Sequence, residues 1–102
     1  MCTNIVVSTS VEGAGFGRQG WFGVNRATVA YDHPLRVDRE HAVMLDFVDA
    51  GGGVEARVGV ELTLESARAL AEAILRACAE GEAWEQEARR WQPPARFRMP
   101  RA

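Results

Sequence analysis

The sequence contains no lysine, because all twelve of its basic residues are arginines. A lysine side chain is needed to form a Schiff base or to act as an amine nucleophile, so both kinds of side-chain chemistry are excluded. The formal net charge is −2, which gives no general attraction for nucleic acid or an anionic membrane. We therefore expect neither nucleic acid nor a membrane among the partners.

Cysteines and long apolar runs are also scarce. The two cysteines are Cys2 and Cys78, and no apolar run approaches the roughly 20 residues of a membrane-spanning helix. Residues 1–11 have neither the basic start nor the apolar run of a signal peptide. These features predict a cytoplasmic protein with reduced thiols. A length of 102 residues is typical of one domain.

Apolar residues alternate with polar ones in four segments, which predicts four strands before a helix. The predicted strands cover residues 5–11, 21–32, 41–48 and 54–62. A glycine-rich loop at 12–20, a polar linker at 33–40 and a hairpin loop at 49–53 would separate them. Pairing Phe47 with Ala56 sets Asp46 opposite Arg57 as an ion pair across two strands.

A helical pattern follows the last strand. Thr63 is a typical N-cap, the apolar residues from Leu64 onward fall on one helical stripe, and Gly81 is the predicted end. Residues 82–91 are predicted to form a second, shorter helix, which a basic tail follows. The predicted fold class is α+β, an antiparallel sheet of about four strands covered on one face by one long helix. Residues 1–81 would form the domain, and residues 82–102 a short C-terminal helix and tail.

Both histidines flank the polar linker, and each directly follows a carboxylate: Asp32 precedes His33, and Glu40 precedes His41. Imidazole is the side chain best suited to proton transfer near neutral pH, so the pattern favours general acid–base chemistry. His33 precedes Pro34 at the sheet edge and is the predicted reactive group. His41 alternates with core-facing residues of the next strand and would support it.

Other roles for these residues remain open. Hydrogen bonds that only hold the linker in place would also explain the histidines. They could bind a metal with Cys2 or Glu61 as third ligand, but their spacing matches no standard motif, and we predict no metal ligand. Cys2 is also a candidate nucleophile, since loss of Met1 would leave its own amine as the base.

Four further residues are candidates for ligand binding. Trp21 and Tyr31 begin and end the second strand and could line a pocket for an apolar ligand. Arg57 and Glu61 share a sheet face with Asp46 and several apolar residues. A half-apolar face with a few charges suits either a subunit interface, as in a homodimer, or a ligand-binding concavity.

Several short blocks of sequence occur in a characteristic order. They are the Met1-Cys2-Thr3 start, Gly20-Trp21-Phe22, residues 27–34, Glu40-His41, residues 56–63 and residues 65–70. In these blocks the chain resembles an uncharacterised family of small actinobacterial proteins, over roughly residues 1–78. The resemblance implies no assigned activity. It implies a companion of biosynthetic genes and puts motif positions at Cys2, Asp32, His33, Glu40 and His41.

We therefore predict a small cytoplasmic enzyme or accessory protein that acts on a small-molecule metabolite of a specialised biosynthetic pathway. A histidine–carboxylate site would carry the chemistry. The alternatives are a non-catalytic homodimeric binding or assembly module and a metal-binding protein. The sequence names no cofactor and leaves open whether the protein is an enzyme.

Overall fold

The computed structural model describes residues 3–53 and 56–91. Four strands and one helix are present: β1 (Ile5–Gly17), β2 (Gly20–Asp32), β3 (Ala42–Val48), β4 (Arg57–Leu62) and α1 (Leu64–Arg90). The strands form one antiparallel sheet in the order β1-β2-β3-β4. The predicted α+β class and the four-stranded antiparallel sheet are confirmed. The chain divides into two compact units, residues 1–68, which contain the sheet, and residues 69–102.

The glycine-rich segment is a strand, so the predicted loop at 12–20 is wrong. Residues 13–17 continue β1 and pair with β2 after a bulge between Ser10 and Gly13. A Cβ atom on Gly15 would lie 3.1 Å from Val24 Cγ2 and 3.3 Å from Phe22 Cζ, so glycine permits a close approach of these side chains. Gly20 ends the tight turn with a φ of 110°, a conformation that favours glycine.

The pairing of β3 with β4 differs from the prediction by two residues. Val48 lies opposite Arg57, and Asp46 lies opposite Gly59. A shift of two residues keeps every side chain on its predicted face, because side chains alternate with a period of two. The Arg57 side chain reaches along the diagonal, and its Nε still donates to Asp46 Oδ1 at 3.2 Å. The predicted ion pair therefore forms in a different register.

Directly paired residues lie on the same face of a sheet, which defines two faces over residues 5–10 and their partners. Face A carries Val6, Ser8, Thr28, Ala30, Met44, Asp46, Gly59 and Glu61. Face B carries Val7, Val29, Tyr31, Val43, Leu45, Val58 and Val60. The buried hydrophobic residues among those described are Val24, Ala27, Ala42 and Val43. Four residues are a small core for a chain of this length.

The helix begins as predicted and continues beyond the predicted end. Thr63 Oγ1 accepts a hydrogen bond from the Ser66 N–H at 3.2 Å, which is the expected N-cap. Gly81 does not end the helix, and the predicted second helix is part of the same 27-residue α1. A glycine inside a helix costs only about 1 kcal/mol relative to alanine, and strong helix formers flank it on both sides. The predicted basic tail lies outside the described residues.

The apolar stripe of α1 was expected to be buried against a face of the sheet. Most of α1 belongs to the second compact unit, so the prediction that its apolar stripe covers a face of the sheet stays a prediction. Periodicity reports that one side of a helix is apolar, but it does not report what covers that side. Within the described residues, no helix has the length and apolar character needed to cross a membrane.

Candidate functional site

One carboxylate binds three consecutive backbone N–H groups in the linker between β2 and β3. Glu61 projects from β4 on face A, and its two oxygens accept hydrogen bonds from three consecutive backbone N–H groups. The distances are 2.6 Å from Leu35, 2.8 Å from Arg36 and 3.1 Å from Val37. Successive N–H groups that converge in this way form an anion-binding nest. The nest of residues 35–37 is occupied by the protein's own Glu61.

These contacts change the acidity of Glu61. The hydrogen bond from the Leu35 N–H, followed by that from Arg36, holds the pKa of the carboxyl below its usual value of 4.5, while desolvation opposes the change. The ionised form is therefore the form that the folded linker stabilises. Since the pKa is lowered on folding, this stabilisation is present at neutral pH and is lost as the pH falls through the lowered pKa.

The two histidine rings lie together, although seven residues separate them in the linker. Their centroids are 4.6 Å apart, and the His41 ring also stacks on Tyr31 at 5.5 Å. His33 Nδ1 lies 3.0 Å from the Glu40 backbone oxygen. A carbonyl oxygen can only accept, so Nδ1 is the nitrogen that donates in this contact. We call Tyr31, His33 and His41 the histidine stack.

Asp32 and Glu40 both contact His33, one through its side chain and the other through its main chain. Asp32 Oδ1 accepts a hydrogen bond from the His33 backbone N–H at 2.8 Å, which fixes the start of the linker. Glu40 orients the His33 ring with its main-chain carbonyl. The residue that orients His33 is therefore the one before His41, on the opposite side of the linker. This arrangement resembles the backbone contacts that commonly fix the tautomer of a functional histidine.

A cleft of about 630 Å³ lies on face A between the sheet and residues 35–37. Its apolar lining includes Ala30, Leu35, Val37 and Met44. Its polar lining includes Thr28, Arg36, Asp46, Arg57 and Glu61. A mostly apolar cleft with a few polar groups is the usual form of a small-molecule site.

The cleft and the histidine stack occupy different faces of the sheet. Tyr31 pairs with Val43 on face B, whereas Glu61 pairs with Met44 on face A. Of the predicted ligand-binding residues, Tyr31 therefore lies with the two histidines, whereas Arg57 and Glu61 line the cleft. Both regions share the linker, which contributes His33 to the stack and Leu35–Val37 to the cleft.

The remaining predicted residues lie elsewhere. Trp21 is 72% exposed near the turn of the β1–β2 hairpin and contacts Phe16 edge to face, with centroids 5.3 Å apart. It is ten residues from Tyr31 along β2, a separation of about 33 Å in an extended strand. Cys2 lies outside the described residues. Within residues 3–53 and 56–91, no three His, Cys, Asp or Glu side chains are grouped closely enough to hold a metal ion.

Sequence reasoning identified Glu61 but not the nest that it fills. Backbone N–H groups are present at every non-proline residue, so a nest leaves little trace in the side-chain sequence. The only local signal is Pro34, which fixes the entry of the chain into residues 35–37.

Comparisons with known proteins give one match. No curated protein and no solved structure is similar to the chain. A family model matches residues 1–88, which extends beyond the roughly 78 residues of the resemblance and includes most of α1. The chain therefore belongs to DUF6295, a family of unknown function.

Proposed function

We propose that the protein is a small cytoplasmic enzyme or accessory protein that binds a small-molecule metabolite of a specialised biosynthetic pathway in the face A cleft. The observation that carries the proposal is the cleft itself, which combines a volume of about 630 Å³ and an apolar lining with an arginine. The resemblance to small actinobacterial companions of biosynthetic genes supports the assignment to such a pathway.

The lining indicates the chemistry of the ligand. Most of its surface would be apolar, to match Ala30, Leu35 and Met44. Asp46 engages Nε and Nη2 of Arg57 and so fixes the plane of the guanidinium group. Nη1 of Arg57 would then donate to one acceptor group of the ligand, such as a carboxylate or carbonyl. The expected ligand is therefore a mainly apolar molecule with one acidic or carbonyl group.

Thermal-shift and calorimetric titrations test this with apolar carboxylic acids and the corresponding primary alcohols. We expect the acids to bind and stabilise the protein, and Arg57→Gln to remove the preference for acids. Arg68→Gln, on α1, is the matched control and should behave as the natural sequence. If no acid binds, or if Arg57→Gln binds the acids as well as the natural protein does, the proposed site is wrong.

The histidine stack favours an enzymatic role over passive binding. His33 would accept or donate a proton at Nε2, with Glu40 holding its tautomer and His41 holding its ring by stacking. A side chain on face B cannot react with a molecule confined to face A, so the reacting group would extend past the end of β2 at the linker. The linker is the part of the chain that both regions share.

Substitution of the two histidines distinguishes an enzymatic role from an accessory role. We expect His33→Asn, which retains a donor near Nδ1 but cannot transfer a proton, to abolish product formation in the producing strain while ligand binding persists. His41→Ala should weaken both through loss of the stack. If His33→Ala and His41→Ala both leave pathway flux and ligand binding unchanged, the acid–base site is refuted and the accessory role remains.

Two alternatives follow from the sequence. A non-catalytic homodimeric module is favoured by the small buried core of the single chain. A metal-binding protein would show bound metal by elemental analysis after purification without added metal.

A further inference from the structure

Helix α1 and the residue that follows it carry a heptad repeat. Apolar or small residues recur at alternating intervals of three and four, in the order Ala67, Leu70, Ile74, Ala77, Gly81, Trp84, Ala88 and Trp91. Such a repeat defines the a and d positions of a coiled-coil seam, here with Ala67 at a and Leu70 at d. Along this seam, Trp84 and Trp91 are 67% and 68% exposed.

We propose that two copies of this chain associate through α1 as an antiparallel helical pair. In an antiparallel pair each a residue meets a d residue of the second copy. Centring the pair at residue 79 sets Leu70 against Ala88, Ala67 against Trp91, and Ala77 against Gly81 of the second copy. Large residues then meet small ones at the outer layers. Ile74 and Trp84 meet in the layer beside the small central pair, where Ala77 and Gly81 leave space.

The surface of the helix shows a matching hollow. A depression of about 300 Å³ lies between Trp84 and Trp91, with Ala88 and Glu87 completing its lining. The antiparallel alignment places Leu70 of the second copy directly over Ala88. Leu70 would therefore enter the depression between the two tryptophans, as a knob enters a hole in coiled-coil packing.

A parallel pair fits the same sequence poorly. It would stack Trp84 on Trp84 and Gly81 on Gly81, which alternates crowded layers with empty ones. It would also place Glu80, at a g position, beside Glu85 of the second copy, at an e position. This contact between like charges would occur twice, once on each side of the seam. The antiparallel pair has one such contact, between the two Glu80 residues at the symmetry axis. Size and charge both favour the antiparallel arrangement.

The available area is sufficient for a stable dimer. Trp84 and Trp91 are each about two-thirds exposed, and the four side chains in a dimer contribute on the order of 500 Å². This is about a third of the roughly 1,600 Å² buried in a standard interface. The remainder must come from a seam about 36 Å long on helices 10–12 Å wide, which can supply it. The second copy would thereby cover the apolar seam of the helix.

Sedimentation of the full chain over a concentration series tests the proposal. We expect a dimer, and we expect Ile74→Gln to weaken it on the order of 100-fold or more, because each dimer loses two buried isoleucines. Leu75→Gln is the matched control, since Leu75 is 70% exposed beside the seam and should leave the dimer unchanged. Circular dichroism checks that both variants remain folded. A strict monomer, or equal effects of the two substitutions, overturns the proposal.

Disulfide cross-linking tests the orientation of the helices. Cys78 is a free, exposed cysteine at an e position, one residue from the proposed centre. Antiparallel pairing brings the two copies of Cys78 together, whereas parallel pairing separates them across the seam. In a Cys2→Ser background we expect mild oxidation to produce a covalent dimer that Cys78→Ser abolishes. Cross-linking of an Ala88→Cys, Cys78→Ser variant instead would show parallel helices and overturn the antiparallel assignment.

Discussion

Ala42→Leu should destabilise the protein and disturb the histidine stack. Ala42 is fully buried at the start of β3, directly after His41 and opposite Asp32 in the strand register. Leucine adds three carbon atoms where no surface is open to solvent, so the segments packed over Ala42 must move. Overpacking of a buried site costs about 1–3 kcal/mol. In a chain of about 100 residues, 2 kcal/mol lowers Tm by roughly 8–16 °C.

Thermal unfolding and NMR spectra of the imidazole protons measure the two effects. Ala30→Leu is the matched control, because Ala30 lies on the same face but lines the cleft and is only half-buried. We expect Ala30→Leu to fill the cleft, to block ligand binding and to lower Tm by less than Ala42→Leu does. If Ala42→Leu unfolds at the same temperature as the natural protein, Ala42 is not tightly enclosed. The account of how the linker is seated would then be wrong.

Three further predictions concern Glu61, Thr63 and Glu80. Glu61→Gln should speed amide exchange at Leu35–Val37 at neutral pH, because a neutral amide accepts more weakly than a carboxylate. In the natural protein that exchange, corrected for its intrinsic pH dependence, should speed up as the pH falls through the lowered pKa of Glu61; a flat profile would contradict the nest. Thr63→Ala should cost about 1 kcal/mol in chemical unfolding through loss of the N-cap, with Thr9→Ala as control. Glu80→Gln should tighten the proposed dimer in sedimentation, and weaker association would argue against helices that meet at residue 79.

The elements of the fold were largely predictable from local patterns. Alternation located the four strands, and the N-cap Thr63 located the start of α1. Glycine content misled the prediction at two places for the same reason. Residues 13–17 pair with β2, and Gly81 continues α1, because neighbouring backbone or strong helix formers outweigh the low intrinsic preference of glycine.

The site was predictable in its members but not in its arrangement. The sequence indicated that His33 and His41 belong together, and their rings stack. It suggested that each carboxylate acts on the histidine beside it. The path of the linker instead brings the Glu40 carbonyl to His33 Nδ1. The path of a polar linker depends on hydrogen bonds to residues distant in sequence, and side-chain patterns do not encode them.

The sequence by itself determined which segments form strands, which side of each strand and of α1 is apolar, and which residues can transfer protons. Those properties depend on periodicity and on side-chain chemistry, both of which are local. Only the tertiary structure decided that Glu61 fills a nest of three N–H groups and that the cleft and the histidine stack lie on different faces. These depend on strand register, linker path and burial, which arise from contacts between residues far apart in the chain.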